Sequence, residues 1–119
     1  MSYDVAIWDG EQPKSDDDAL EVFEQMAAVY DAETDETPSA ALLLFIRDLT
    51  DRYPDLTTLP DNEVDDSPWA DGPLVNNVTG RFLYLALAFA KTEEVLGFIA
   101  ETARKYDLVC FDPQTETLL

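Results

Sequence analysis

The fold of this chain is decided by RFLYLALAF, residues 81–89. In an extended chain, successive side chains point to opposite faces of a sheet. Both faces are apolar here, with Phe82, Tyr84, Ala86 and Ala88 on one face and Leu83, Leu85, Leu87 and Phe89 on the other. Such a strand is typical of a sheet covered on both sides. The stretch therefore predicts a central strand with helices packed on its sheet.

Toward the N-terminus, the sequence predicts a strand and then a helix. Residues 3–8 alternate in an extended pattern and end at a turn-forming Asp-Gly pair. Ser15 can cap a helix whose first turn holds three aspartates, at the positive end of the helix dipole. A polar, acidic break at residues 31–37 separates this helix from the next one.

A second helix is predicted to start with Thr37 as its N-cap and Pro38 at its first helical position, and to end at Pro54. Three further elements complete the prediction: a short strand at residues 74–78, a third helix from Thr92 to about Tyr106, and a last strand at residues 108–111.

These elements follow the order β-α-α-β-β-α-β. A strand–helix–strand unit crosses over right-handed and aligns its strands in parallel, so residues 81–111 are expected to hold two parallel strands. We therefore predict one α+β domain over residues 1–119, with three helices packed on a mixed sheet of about four strands.

Composition restricts the chemistry that the protein can perform. The chain has 26 acidic and 7 basic residues, a net charge of −19, no histidine and one cysteine. Direct binding to nucleic acid or to an anionic membrane is disfavoured, because both are negatively charged. The absence of histidine excludes Ser-His-Asp triads, Cys-His dyads and histidine metal ligands. No catalytic motif is present, and we expect neither a metal nor a cofactor.

The termini and the apolar stretches predict a cytoplasmic protein. Residues 1–10 carry two aspartates and no basic residue, unlike a signal peptide. The longest apolar stretch, residues 82–90, is far shorter than the ~20 residues that a membrane-spanning helix needs. No lipidation motif stands at either end.

An irregular segment at residues 55–73, called the acidic loop below, is the sharpest candidate for a functional site. Loops of this length are uncommon in compact domains and are often functional. Its candidate partner-binding residues are five carboxylates and a tryptophan: Asp61, Glu63, Asp65, Asp66, Trp69 and Asp71. Carboxylates pair with arginine, and tryptophan is a frequent interface anchor. Trp69 can equally cap the core, and a calcium site would need a glycine that DNEVDDSPW lacks.

The negative charge is concentrated in one half of the chain. Residues 11–71 hold 18 of the 26 acidic residues and 3 of the 7 basic ones. This clustering favours a basic partner, because opposite charges speed association. Adaptation to high salt and plain solubility are the alternatives, and the low lysine content favours salt adaptation.

A second candidate lies at the end of the last predicted strand. Asp112 would follow a parallel strand, where α/β folds often place ligands. A small hydrolase or transferase that uses Asp112 or Asp4 is the enzymatic alternative. However, phosphotransfer needs further fixed partners, and Asp-Pro after a strand is ordinarily a turn. Cys110 has no histidine to activate it and is expected to be a buried apolar residue.

Four segments carry a resemblance to known proteins: Ser2–Trp8, Ser67–Ala70, Gly80–Phe82 and Tyr106–Gln114. They resemble small bacterial immunity proteins of polymorphic toxin and contact-dependent inhibition systems. The resemblance implies a small, stable, acidic protein that blocks the active site of a toxin, often a basic nuclease. We therefore expect a non-enzymatic monomer or weak dimer whose partner is a basic protein toxin.

Overall fold

A computed structural model describes residues 2–31 and 36–119, which form five strands and three helices. The strands are β1 (Ser2–Trp8), β2 (Val78–Thr79), β3 (Phe82–Ala88), β4 (Val109–Asp112) and β5 (Thr117–Leu118). The helices are α1 (Asp16–Asp31), α2 (Ala40–Arg52) and α3 (Thr92–Lys105). The predicted α+β class is confirmed, with one short strand added after β4.

The strands form a single sheet in the order β2-β3-β1-β4-β5, and each pair of neighbours is antiparallel. β1 occupies the middle: it pairs with β3 from Ser2↔Ala88 to Trp8↔Phe82, and with β4 from Ala6 to Trp8. β3 and β4 therefore run in the same direction, as predicted, but β1 lies between them. The sheet is antiparallel between neighbours rather than mixed, because β1 fills the place where a parallel pair was expected.

Helices cover both faces of the sheet, as the apolar pattern of β3 predicted. One core forms between the sheet and the pair α2 and α3, and it includes Leu83, Leu85, Leu87, Leu42, Phe45, Val95 and Ile99. A second core forms between the sheet and α1, and it includes Phe82, Tyr84, Phe111, Trp8, Phe23 and Tyr30. The sheet is thus the middle layer of three.

The start of α1 agrees with the prediction from the sequence, whereas the start of α2 does not. The backbone N–H of Asp18 donates to Ser15 Oγ at 3.1 Å, which confirms the predicted cap of α1. α2 begins at Ala40, two residues after the predicted first position, Pro38. The reason is tertiary: Ser39 donates its N–H to the carbonyl of Gly80 at 2.7 Å and its hydroxyl to Asp9 at 2.5 Å, outside the helix. Of the predicted break at 31–37, residues 32–35 lie outside the described residues.

The segment predicted as a strand at 74–78 is mostly a 3₁₀ turn, Leu74–Asn77, and extends only at Val78–Thr79. The hairpin to β3 turns at Gly80, which has a φ of +56°. A Cβ there would also come within 2.3 Å of Glu36 Oε2 and 3.3 Å of Glu36 Cβ. Glycine is favoured at this turn by its φ, and a larger residue would also have to displace the Glu36 side chain.

Truncating neighbouring residues of α2 should separate its two faces. Phe45 is fully buried, whereas the adjacent Leu44 is 40% exposed. Phe45→Ala should lower the free energy of unfolding by about 3–5 kcal/mol, because it leaves a cavity in the core. Leu44→Ala should lower it by less than about 1 kcal/mol. Urea unfolding of the two variants measures both values, and similar losses would contradict the orientation of α2.

Candidate functional site

The acidic loop is not free of structure, because its second half returns to the sheet. The N–H of Ala88 donates to the carbonyl of Pro68 at 2.7 Å, and the N–H of Ala70 donates to the carbonyl of Ala86 at 2.9 Å. Trp69 forms an antiparallel bridge with Leu87 between these two bonds. Residues 68–70 therefore lie along β3 as an addition to the sheet.

Trp69 lies in the core, so it is not an exposed anchor for a partner. Its side chain is 2% exposed, and its Nε1–H donates to the carbonyl of Tyr53 at 2.8 Å. The Tyr53 ring stands edge-on to the indole at 6.4 Å. Directly opposed residues of an antiparallel pair point to the same face, and Leu87 points into the core. The core-capping alternative is therefore the one that the structure has.

The five loop carboxylates are exposed: Asp61, Glu63, Asp65, Asp66 and Asp71. Asp71 accepts hydrogen bonds from the N–H of Gly72 at 2.9 Å and from Asn77 Nδ2 at 3.1 Å. In the described ranges, the other four side chains accept no hydrogen bond from the protein. The predicted carboxylates are thus exposed, whereas the predicted tryptophan of the same loop is buried.

Asp55 holds the start of the acidic loop to its end, a role that sequence reasoning missed. Its Oδ2 accepts a hydrogen bond from the N–H of Leu74 at 3.0 Å, and its carbonyl accepts from the N–H and hydroxyl of Thr58. Gly72 packs so closely that a Cβ there would lie 2.7 Å from Asp55 Oδ1. Aspartate before Leu-Thr-Thr is a turn-initiating pattern, which is the signal that could have identified it.

Ion pairing inside the protein neutralises little of its charge. Over residues 2–31 and 36–119, one ion pair forms, between Lys105 Nζ and Asp48 Oδ2 at 2.8 Å. Hydrogen bonds from Lys105 and Tyr106 hold the pKa of Asp48 below its usual range. Among the described residues, no donor is bonded to the side chains of Asp61, Glu63, Asp65 or Asp66, so their field extends into solvent.

Metal binding finds no preformed site in the described part of the chain. No group of three or more Asp, Glu, Cys or His side chains is placed there to hold an ion.

Asp112, the predicted enzymatic candidate, is tied into the fold. Both strands beside β4 are antiparallel to it, so Asp112 does not end a parallel strand. One carboxylate oxygen accepts from the Tyr3 hydroxyl, and the other accepts from the side chain of Gln114 at 2.6 Å and its N–H at 2.9 Å. Burial alone would raise the pKa of Asp112, but these hydrogen bonds outweigh it and hold the pKa below the usual range.

Gln114 connects Asp112 to the central strand. Its side-chain amide accepts from the N–H of Asp4 at 2.6 Å and donates to the Asp4 carbonyl at 2.7 Å. It thereby continues the β1–β4 ladder where Pro113, opposite Asp4, has no N–H to donate. Asp4 also accepts from the Tyr84 hydroxyl at 2.8 Å. Both aspartates of the enzymatic alternative hold the sheet together.

Cys110 is buried, as expected, and its side chain faces the core under α3. Burial raises the pKa of its thiol to about 12, so the thiolate needed for nucleophilic attack is not formed near neutral pH.

Removing the indole of Trp69 should destabilise the protein far more than neutralising the loop carboxylates. Trp69→Ala should cost about 3–5 kcal/mol of unfolding free energy, because it empties a buried site. Asp65→Asn with Asp66→Asn should change it by no more than about 0.5 kcal/mol per substitution. Chemical denaturation compares the variants. A Trp69→Ala protein as stable as the wild type would contradict the role of the indole in the core.

Tyr3→Phe should remove a tyrosine that ionises only at high pH. The hydrogen bond to Asp112 and then burial raise the pKa of Tyr3 to about 12, against ~10 for an unfolded tyrosine. The stability gained from this difference is complete below pH ~10 and is lost as the pH rises through the folded pKa.

Tyrosinate absorbance during alkaline titration measures the effect. The wild type should show a tyrosine that ionises near pH 12, and Tyr3→Phe should lack that step. The same late step in both proteins would contradict the Tyr3–Asp112 pairing.

Comparison of the chain with family models, curated proteins and solved structures finds no match. Within the described residues, no helix combines the length and apolar character needed to cross a membrane. The function of the protein is therefore inferred from its own residues.

Proposed function

We propose that the protein is a non-enzymatic acidic binding protein, an immunity protein that neutralises a basic toxin. The observation that carries this proposal is the acidic loop: its backbone is fixed at both ends, and four of its exposed carboxylates, Asp61, Glu63, Asp65 and Asp66, have no bonded partner among the described residues. The loop would cover the active or nucleic-acid-binding surface of the toxin, which is cationic when the toxin is a nuclease.

The fixed backbone matters because it reduces the entropy lost on binding. Trp69 holds the end of the acidic loop to β3, and Asp55 holds its start to Leu74. Loops that are ordered before association bind more tightly than loops that must be ordered by it. Carboxylates held in this way can accept paired hydrogen bonds from arginine.

The absence of internal ion pairs on the loop also supports a cationic partner. A carboxylate already paired with lysine would have to give up that bond on binding. Asp61, Glu63, Asp65 and Asp66 give up only water. Salt screens their field, which attracts a basic protein over a distance of about 10 Å at 0.1 M salt.

No observation favours the enzymatic alternative. The carboxylates of Asp112 and Asp4 are engaged by donors of the fold, and the Cys110 thiol is buried with a raised pKa. A partner toxin made in the same cell would require the protein in the cytoplasm, and that localisation is part of the proposal.

The proposal is tested by affinity capture of the tagged protein from lysate of its own organism at low and moderate salt. The expected result is one basic protein that is retained in a 1:1 ratio with the tagged protein and released by salt. Mass spectrometry identifies it. When purified, this protein should be toxic or nucleolytic and should lose its activity on binding. Capture of no basic protein at low salt would overturn the proposal.

Charge reversal on the loop should slow association with the captured partner. Asp65→Lys with Asp66→Lys should lower the association rate about tenfold at low salt, with a smaller effect at high salt, because steering is electrostatic. The matched control is Glu21→Lys with Glu24→Lys, which makes the same charge change on exposed positions of α1, across the sheet.

Stopped-flow kinetics at several salt concentrations compares the two variants. The control should change the association rate much less than the loop variant. Equal effects of both would assign the attraction to overall charge and contradict a role for the loop.

A further inference from the structure

Phe89 is the most exposed large apolar side chain of the described residues, at 60%. The alternation of RFLYLALAF predicts it on the same face of the sheet as Leu87. Instead β3 ends at Ala88, and residues 89–91 form a 3₁₀ turn that redirects the chain toward α3. The change of backbone conformation turns Phe89 out of the core.

The surroundings of Phe89 are well fixed. The Tyr3 ring contacts it edge-to-face, with the ring centroids 6.3 Å apart, and Tyr3 is itself held by Asp112. The preceding residue, Ala88, is bonded to Pro68. Phe89 is therefore an aromatic side chain that is exposed but supported, as interface anchors are.

Phe89 also lies beside the acidic loop. The N–H of Ala88 donates to the carbonyl of Pro68 at 2.7 Å, so Phe89 directly follows a residue that is bonded to the end of the acidic loop. The 3₁₀ turn Val64–Asp66 directly precedes Ser67, and in it the valine is 36% exposed. These backbone contacts thus place an exposed aromatic residue at the end of the acidic loop.

Negative charge borders Phe89 on its other side as well. Glu93 and Glu94 stand in the first turn of α3, directly after the 3₁₀ turn, and both are exposed. The 3₁₀ turn itself carries a basic residue, Lys91, which is half-buried. A second copy of this chain, with a net charge of −19, would be repelled, and so would an anionic membrane.

We infer that Phe89 is the aromatic anchor of the surface formed with the acidic loop, and that it inserts into an apolar pocket bordered by lysine or arginine on a basic protein partner. This inference rests on the proposed function and adds to it the residue that supplies apolar contact. Trp69, for which an anchor role was one of two predicted alternatives, supports the neighbouring backbone instead.

Two synthetic peptides of equal length and charge serve as probes. One combines lysine with leucine, and the other has serine in place of each leucine. Titration calorimetry at low salt should show that the lysine–leucine peptide binds the wild type more tightly. Phe89→Ala should weaken that peptide about tenfold, the loss typical of an interface anchor, and leave the lysine–serine peptide unchanged.

Two further variants act as controls. Leu44→Ala truncates another exposed apolar residue, on α2, and should leave both affinities unchanged. Phe89→Leu keeps an apolar side chain and should retain most of the affinity. Thermal unfolding of each variant verifies the fold, which an exposed position should not disturb.

The outcomes separate the inference from the proposed function. If both peptides bind and Phe89→Ala binds each as the wild type does, the inference is overturned and the acidic binding function stands. If neither peptide binds at low salt, both are overturned. Sedimentation of the protein alone supplies the remaining test: a dimer that Phe89→Ala dissociates would assign the surface to a second copy and overturn the inference.

Discussion

The pairing of β1 on both of its edges is the constraint on which the rest of the structure depends. Its outer neighbours, residues 82–88 and 109–111, come from late parts of the chain. Its side chains supply both cores, with Val5 and Ile7 facing α2 and α3, and Ala6 and Trp8 facing α1. Without β1, β3 and β4 have no common neighbour, and the two helical layers have no shared surface.

Hydrogen bonds beyond the ladder reinforce this central position. The Gln114 amide continues the pairing at Asp4, and the Tyr3 hydroxyl joins β1 to Asp112. These contacts explain why aspartates that looked available for chemistry are used for architecture. In a protein this acidic, carboxylates are the commonest polar group with which to bind tyrosine hydroxyls and backbone N–H groups.

The local sequence pattern predicted the helices and strands well, but it could not predict which strands are neighbours in the sheet. The apolar alternation of β3 and the Ser15 cap are local properties, and both appear as expected. The antiparallel order is set by which strand enters between β3 and β4, and the alternation of residues 3–8 carries no information on that. The start of α2 was misplaced because Ser39 is held by Asp9 and Gly80, which are distant in sequence.

The same limit applies to the candidate site. Runs of charged residues are exposed on almost any fold, so the loop carboxylates were predictable. Trp69 is buried because it pairs with Leu87, and Phe89 is exposed because β3 ends one residue before it. Periodicity cannot resolve a single residue at a strand end, so Phe89 was assigned to β3, and the sequence left open whether Trp69 caps the core or contacts a partner.

The central place of β1 has a consequence for synthesis of the chain on the ribosome. A nascent chain that has emerged as far as residue 90 can pair β1 with β3, but the other edge of β1 stays bare until β4 follows. Bare edges template pairing with other chains. By then the segment 11–71, with 18 of the 26 acidic residues, has already emerged. Mutual repulsion between nascent copies would protect that edge during the interval, before any partner is met.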